Sequence, residues 1–244
     1  MSTTDPSTHV ILPAAPKGDD PNVPFRQARF YRLGRFDKRG RPVSIFWIVL
    51  HTAECAETKN AAEALQNYCA TLPADLPSNQ QKSWHYSVDT DSSAQSVLEK
   101  DTSWHAPPLN PYSIGIEQAG RASQLASGWN DPYSVAMVNT QLIPLVTGIC
   151  RRRRIIPRTL PDELLLEGLT QIQKSDNSTQ ALEMCRKLYS GIVTHSQISR
   201  VFKKSTHTDP GAAFPMDSIV LQVEQAIPPI ELMAMGSLAH IGGG

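Results

Sequence analysis

The run Ser44-Ile-Phe-Trp-Ile-Val-Leu50 is continuously apolar after its first residue and rich in β-branched and aromatic side chains. Such a run predicts a strand buried on both faces. His51 follows it directly. Thr58 then predicts the cap of a helix reaching about Ala70, with Ala61, Ala62, Leu65 and Tyr68 on one face. Trp84-His-Tyr-Ser-Val88 reads as a second strand, Asp89–Ser93 as a turn, and Gln95–Leu98 as a third strand. Ile114-Gly-Ile-Glu117 reads as a short fourth, with Ile114 and Ile116 facing the core and Gly115 and Glu117 facing the other side. Ser134–Cys150 has helical periodicity through Val138, Leu142, Leu145, Val146 and Ile149, and Pro144 predicts a kink within it. Residues 157–178 read as an insertion holding a short acidic helix from Asp162. A helix is expected over Thr179–Tyr189, a strand over Gly191–Thr194 ending at His195, and a last helix over Asp217–Ala226. Strands and helices are mixed along the chain, so the expected fold class is α/β: a central mixed β-sheet flanked by helices.

Flanking segments differ in character. Residues 1–25 are polar and punctuated by Pro13, Pro16, Pro21 and Pro24, and read as a flexible arm. Residues 227–244 end in His-Ile-Gly-Gly-Gly and read as a tail or linker. One domain over 26–226 is expected between them. No stretch has the basic and apolar regions of a signal peptide, and no apolar run reaches the roughly 18 residues of a membrane span. The expectation is synthesis in the cytoplasm without membrane insertion.

Formal net charge is zero, which removes any global attraction to nucleic acid. The one charge cluster is Arg151-Arg-Arg-Arg154 with Arg158. Cations at a helix end facing the negative dipole explain it better than attraction to an anionic polymer does. Cys55, Cys69, Cys150 and Cys185 form no CxxC pair and read as free thiols in the packed interior.

Three residues mark candidate chemistry. His51 and His195 each follow an apolar strand, and Asp209 opens a rigid Asp-Pro-Gly turn. Two imidazoles and a carboxylate are a common catalytic zinc set with a fourth position left open. Each is weak evidence alone, because a histidine after a strand is usually structural and Asp-Pro-Gly is usually only a turn.

The ordered segments are more specific. Ile48-Val-Leu-His-Thr-Ala-Glu54, Ser83-Trp-His-Tyr86, Thr102-Ser-Trp-His-Ala106, Tyr112-Ser-Ile-Gly-Ile-Glu117, Gly191-Ile-Val-Thr-His195 and His207-Thr-Asp-Pro-Gly211 follow one another along the chain. Together they resemble the type 2 N-acetylmuramoyl-L-alanine amidases, a family that includes phage endolysins, cell-wall recycling amidases and peptidoglycan recognition proteins. The resemblance spans about residues 44–225, and its last motif is most like phage lysins. It implies zinc held by His51, His195 and Asp209, with Glu117 as catalytic acid–base. It implies that His207, standing where many relatives have lysine, stabilises the oxyanion. By the same resemblance Trp84, Trp104, His105 and Asn110 line the substrate groove, although Trp84 reads equally as packing and His85 as a core histidine. The implied partner is peptidoglycan, acted on by a monomer at the wall after holin-type release. Two alternatives stand beside this: a non-catalytic peptidoglycan-binding module and a cytosolic muropeptide-recycling amidase. Retention of all four metal and acid–base residues argues against the first.

Overall fold

The computed structural model describes residues 17–236. The arm and tail expected at the chain ends lie outside these residues, apart from 17–25 and 227–236. In chain order the elements are β1 (Trp47–Thr52), α1 (Ala61–Thr71), β2 (Tyr86–Val88), β3 (Ser93–Gln95), β4 (Ser113–Gln118), α2 (Ala126–Trp129), α3 (Pro132–Ala136), α4 (Ile143–Arg153), α5 (Asp162–Lys174), α6 (Thr179–Tyr189), β5 (Gly191–Thr194), α7 (His195–Phe202), α8 (Met216–Gln225) and α9 (Pro229–Met235).

The strands form one five-stranded sheet in the order β3-β2-β4-β1-β5. β1 is its centre and pairs in parallel with β4 and β5, while only β2 and β3 pair antiparallel. The apolar run therefore does what it predicts: all six residues of β1 are buried. Alternation sends Ile48, Leu50, Ile114, Ile116 and Ile192 to one face, against Val146 and Ile149 of α4 and Ile219 and Val223 of α8. Trp47, Val49 and Val193 go to the other face, against Leu165, Leu169 and Ile172 of α5 and Ile198 of α7. The result is a sheet sandwiched between helical layers.

Several boundaries differ from the sequence reading. Thr58 does not cap α1 by its side chain; Asn60 precedes the helix without a side-chain bond. Pro144 does not break its helix. A π-helical turn over Met137–Leu142 lies just ahead of it, and Pro132–Arg153 runs continuously. That helix is long and apolar enough to cross a membrane by composition, yet Met137, Leu142, Val146 and Ile149 are buried against the sheet. The segment read as an insertion supplies a core helix, α5, whose Gly168 packs on Trp47 and Tyr189. Part of the segment read as a tail forms α9, with Leu232 and Met235 in the core.

Candidate metal centre and active site

Parallel strands bring their carboxyl ends to one edge, the usual place for a site in an open α/β sheet. His51 is the fifth residue of β1 and pairs in register with Glu117 of β4. Both side chains project from the same face. β5 ends at Thr194, whose hydroxyl caps α7 by accepting from the Gln197 amide, and His195 is the first residue of that helix. Asp209 is held against the same helix start, since its carbonyl accepts from the Ser196 amide at 2.8 Å. Gly211 follows with φ +91°, and a Cβ there would lie 2.0 Å from the Ala122 carbonyl oxygen, so only glycine fits.

These elements bring His51, His195 and Asp209 together, all buried, with one ligand-type atom of each within 4.8 Å of the others. His51 Nδ1 lies 3.1 Å from His195 Nδ1 and 3.2 Å from Asp209 Oδ2, and His195 Nδ1 lies 3.2 Å from Asp209 Oδ1. Tetrahedral ligands about 2.0–2.1 Å from zinc would stand roughly 3.3 Å apart, so the set fits such an ion. Two nitrogens and a carboxylate concentrate acceptors where a cation is the natural partner. His195 Nε2 and Glu117 Oε2 are buried without a hydrogen-bond partner.

The electrostatics follow from burial. Desolvation lowers His51 to about 4, with His195 and His207 adding to the effect and Asp209 opposing it. Desolvation would raise Asp209, but its close contacts with the His195 and His51 imidazoles outweigh it and hold the carboxyl well below its ordinary range. Glu117 has only 12% of its side chain exposed and stands 3.9 Å from His51 Nδ1. Desolvation, reinforced by Asp209 and opposed by Lys82, pushes it up to about 8. His207 is at the mouth, 59% exposed, stacked on His195 at 4.1 Å, with Nδ1 3.4 Å from Asp209 Oδ1. A cavity of about 520 Å³ opens beside it, lined by Ala122, Ser196, Ser199, Arg200, Ser205 and Thr206 among others.

The four residues expected to line the groove take varied places. Trp84 is buried, stacks on Tyr68 at 6.3 Å and donates to Ser87 Oγ, so it packs β2 against α1. His105 is buried behind His51 and bonded to it. Asn110 Oδ1 accepts from the His105 and Ala106 amides and shapes their loop. Trp104 is half-buried. His85 is fully buried, as a core histidine should be, and its Nδ1 accepts from the Gly115 amide. The sequence reading passed over Ser113 and Glu54. Glu54, at φ 53°, accepts from Thr52 Oγ1 and from the Ala122 amide, tying the loop at Ala122 to the end of β1.

A sheet with helices on both faces and a His-His-Asp cluster at its carboxyl edge is a layout that can hold a metal ion beside a cleft. Residues 40–212 match the model of the N-acetylmuramoyl-L-alanine amidase family, Amidase_2, and the chain belongs to that family. Family and fold together support a peptidoglycan amidase. Among solved structures the chain is similar to the Staphylococcus aureus hydrolase AmiA in complex with its ligand, at 14% identity and TM-score 0.54, covering 90% of this chain and 87% of that one. It is also similar to a mutant of PlyL (13%, TM-score 0.49, covering 83% and 98%) and to the amidase LysC from Clostridium intestinale (13%, TM-score 0.46, covering 84% and 98%). No curated protein matches the chain.

Proposed function

We propose that this protein is a zinc-dependent N-acetylmuramoyl-L-alanine amidase, cutting peptidoglycan between the lactyl group of muramic acid and the first L-alanine, in the service of phage-driven host lysis. The observation that supports it most is the convergence of His51, His195 and Asp209 beside Glu117. Zinc, when bound, supplies Lewis acidity and lowers the pKa of water from about 15.7 towards roughly 7.

The chain's own groups supply the rest. Glu117, in its desolvated position, accepts a proton as water attacks the carbonyl and returns it to the leaving amine of L-alanine. His207 donates a hydrogen bond to the oxyanion that develops, and a neutral imidazole suffices for that. Burial and the neighbouring His195 hold His207 below its ordinary pKa, which favours the neutral form. No serine or cysteine nucleophile is needed. The phage-lysin assignment rests on the His-Thr-Asp-Pro-Gly form of the last motif.

Digestion of purified peptidoglycan tests the reaction. New L-alanine amino groups without new reducing sugars are expected; new reducing sugars would make it a glycosidase, and no new ends would make it a binding module. Preference for intact sacculi over soluble anhydro-muropeptides is expected of a lysin, and the reverse preference would favour the recycling role.

A further inference from the structure

We propose that His105 is a positioning residue that fixes which nitrogen of His51 is free to bind metal. This rests on the metal-centre reading above. The assignment follows from a chain of hydrogen bonds whose directions are forced at one end. Ser113 Oγ donates to the Leu109 carbonyl at 2.8 Å, and a carbonyl can only accept. The hydroxyl has one proton, so its 3.1 Å bond with His105 Nε2 must be donated by the imidazole. A neutral imidazole carries a single N–H, which leaves His105 Nδ1 an acceptor. That atom lies 3.0 Å from His51 Nε2, so His51 donates there. His51 Nδ1 is then the bare lone pair, and it is the atom that faces Asp209 and His195.

Without this relay a competing arrangement is open to His51. Asp209 Oδ2 lies 3.2 Å from Nδ1, and a carboxylate attracts a proton to that nitrogen. A proton on Nδ1 blocks the ligand lone pair and must be displaced before a metal binds. His105 offsets that pull by rewarding the proton on the opposite nitrogen. Partners of this kind behind ligating histidines fix tautomer and ring orientation.

The steric arrangement agrees independently. A Cβ on Gly115 would lie 2.6 Å from both Cγ and Nδ1 of His105. An isolated glycine inside a strand marks a close approach. Here the approaching group is the imidazole, and the glycine of Ile114-Gly-Ile-Glu117 is the space it fills.

Zinc affinity of the full chain, measured by competition with a chromogenic chelator, tests the proposal. His105→Ala should weaken zinc binding by about 10–100-fold while circular dichroism shows a folded protein. His105→Asn, whose amide oxygen can stand near the position of Nδ1, should recover much of that loss. Gly115→Ala, by displacing the ring, should weaken binding in the same direction. Nitrogen-15 spectra of the metal-free protein should show a larger share of Nε2-protonated His51 in wild type than in His105→Ala. Zinc bound as tightly by His105→Ala as by wild type, or an unchanged His51 tautomer, overturns the relay. Equal zinc affinity in wild type and His51→Ala would instead overturn the metal centre itself, so the two failures are distinguishable.

Discussion

Glu117 illustrates how one register position sets chemistry. Pairing opposite His51 puts a carboxyl in a desolvated place beside an acidic neighbour, and both effects hold its proton affinity high. Glu117→Gln keeps the shape but cannot take a proton. The expected result is zinc and fold retained and turnover reduced by about 10²–10⁴-fold, read from amide cleavage in a loaded sample. His207 is tested at the same scale. Loss of one oxyanion donor costs roughly 10²–10³-fold in kcat, so His207→Ala should lower the rate far more than zinc or substrate affinity. Full activity in that variant would reduce His207 to a neighbour of Asp209. At this scale His51, His195 and Asp209 stand out singly at strand ends and a rigid turn, and it is the ordered motifs resembling the amidases that join them into a set. The orientation of His105 is not legible in sequence, because it depends on the aperiodic loop through Asn110 and on the absence of a side chain at Gly115.

Strong periodicity located the elements and weak periodicity lost them. β1, β4 and α6 stand close to their expected places because their apolar patterns are unbroken. α7 escaped notice, although Ile198, Val201 and Phe202 recur at helical spacing and all belong to the packed layer. Only eight residues long and joined directly to β5, it looks like a strand end in sequence. α9 was hidden by Pro228-Pro229 and the glycine-rich end, both of which suggest a linker. α5 reads as an insertion in sequence because nothing in its own residues shows that β1 needs it. Its Gly168 makes that need testable. A Cβ there would meet Tyr189 Cβ at 2.7 Å and Trp47 Cζ2 at 3.3 Å. Overpacking costs about 1–3 kcal/mol, and alanine regains about 0.5–1 kcal/mol of helix propensity. Gly168→Ala should therefore be destabilising on balance, seen as a lower denaturant midpoint.

Over the whole molecule, the arginine run acts as a clasp. Glu99 is fully buried and receives Arg152, Arg153 and the Tyr86 hydroxyl. Arg151 pairs with Glu231 of α9, and Arg154 with Glu183 of α6. Partnered arginines of this kind explain the cluster as structure, without wall polymers. Removing one member of a buried pair costs about 3–5 kcal/mol, and the partly exposed arginines place Glu99→Ala near the lower end. Urea unfolding measures it; a loss within the range of ordinary surface changes would show that water replaces Glu99 without penalty. The clasp also holds the segments at Asp19 and Ala234. Arg153 reaches Asp19, and the adjacent Arg154 donates to the Ala234 carbonyl at 2.9 Å. Both lie by the start of β1, since Arg186 bridges the Ile45 and Arg153 carbonyls there, while His51 stands near the strand's far end. The polypeptide could thus be circularly permuted: a short linker joins 236 to 17, and new termini open at the exposed Arg39–Gly40 turn, where nothing crowds the glycine. Such a permutant should melt cooperatively and bind zinc as the parent does, because the seam lies at the end of the sheet away from the cleft.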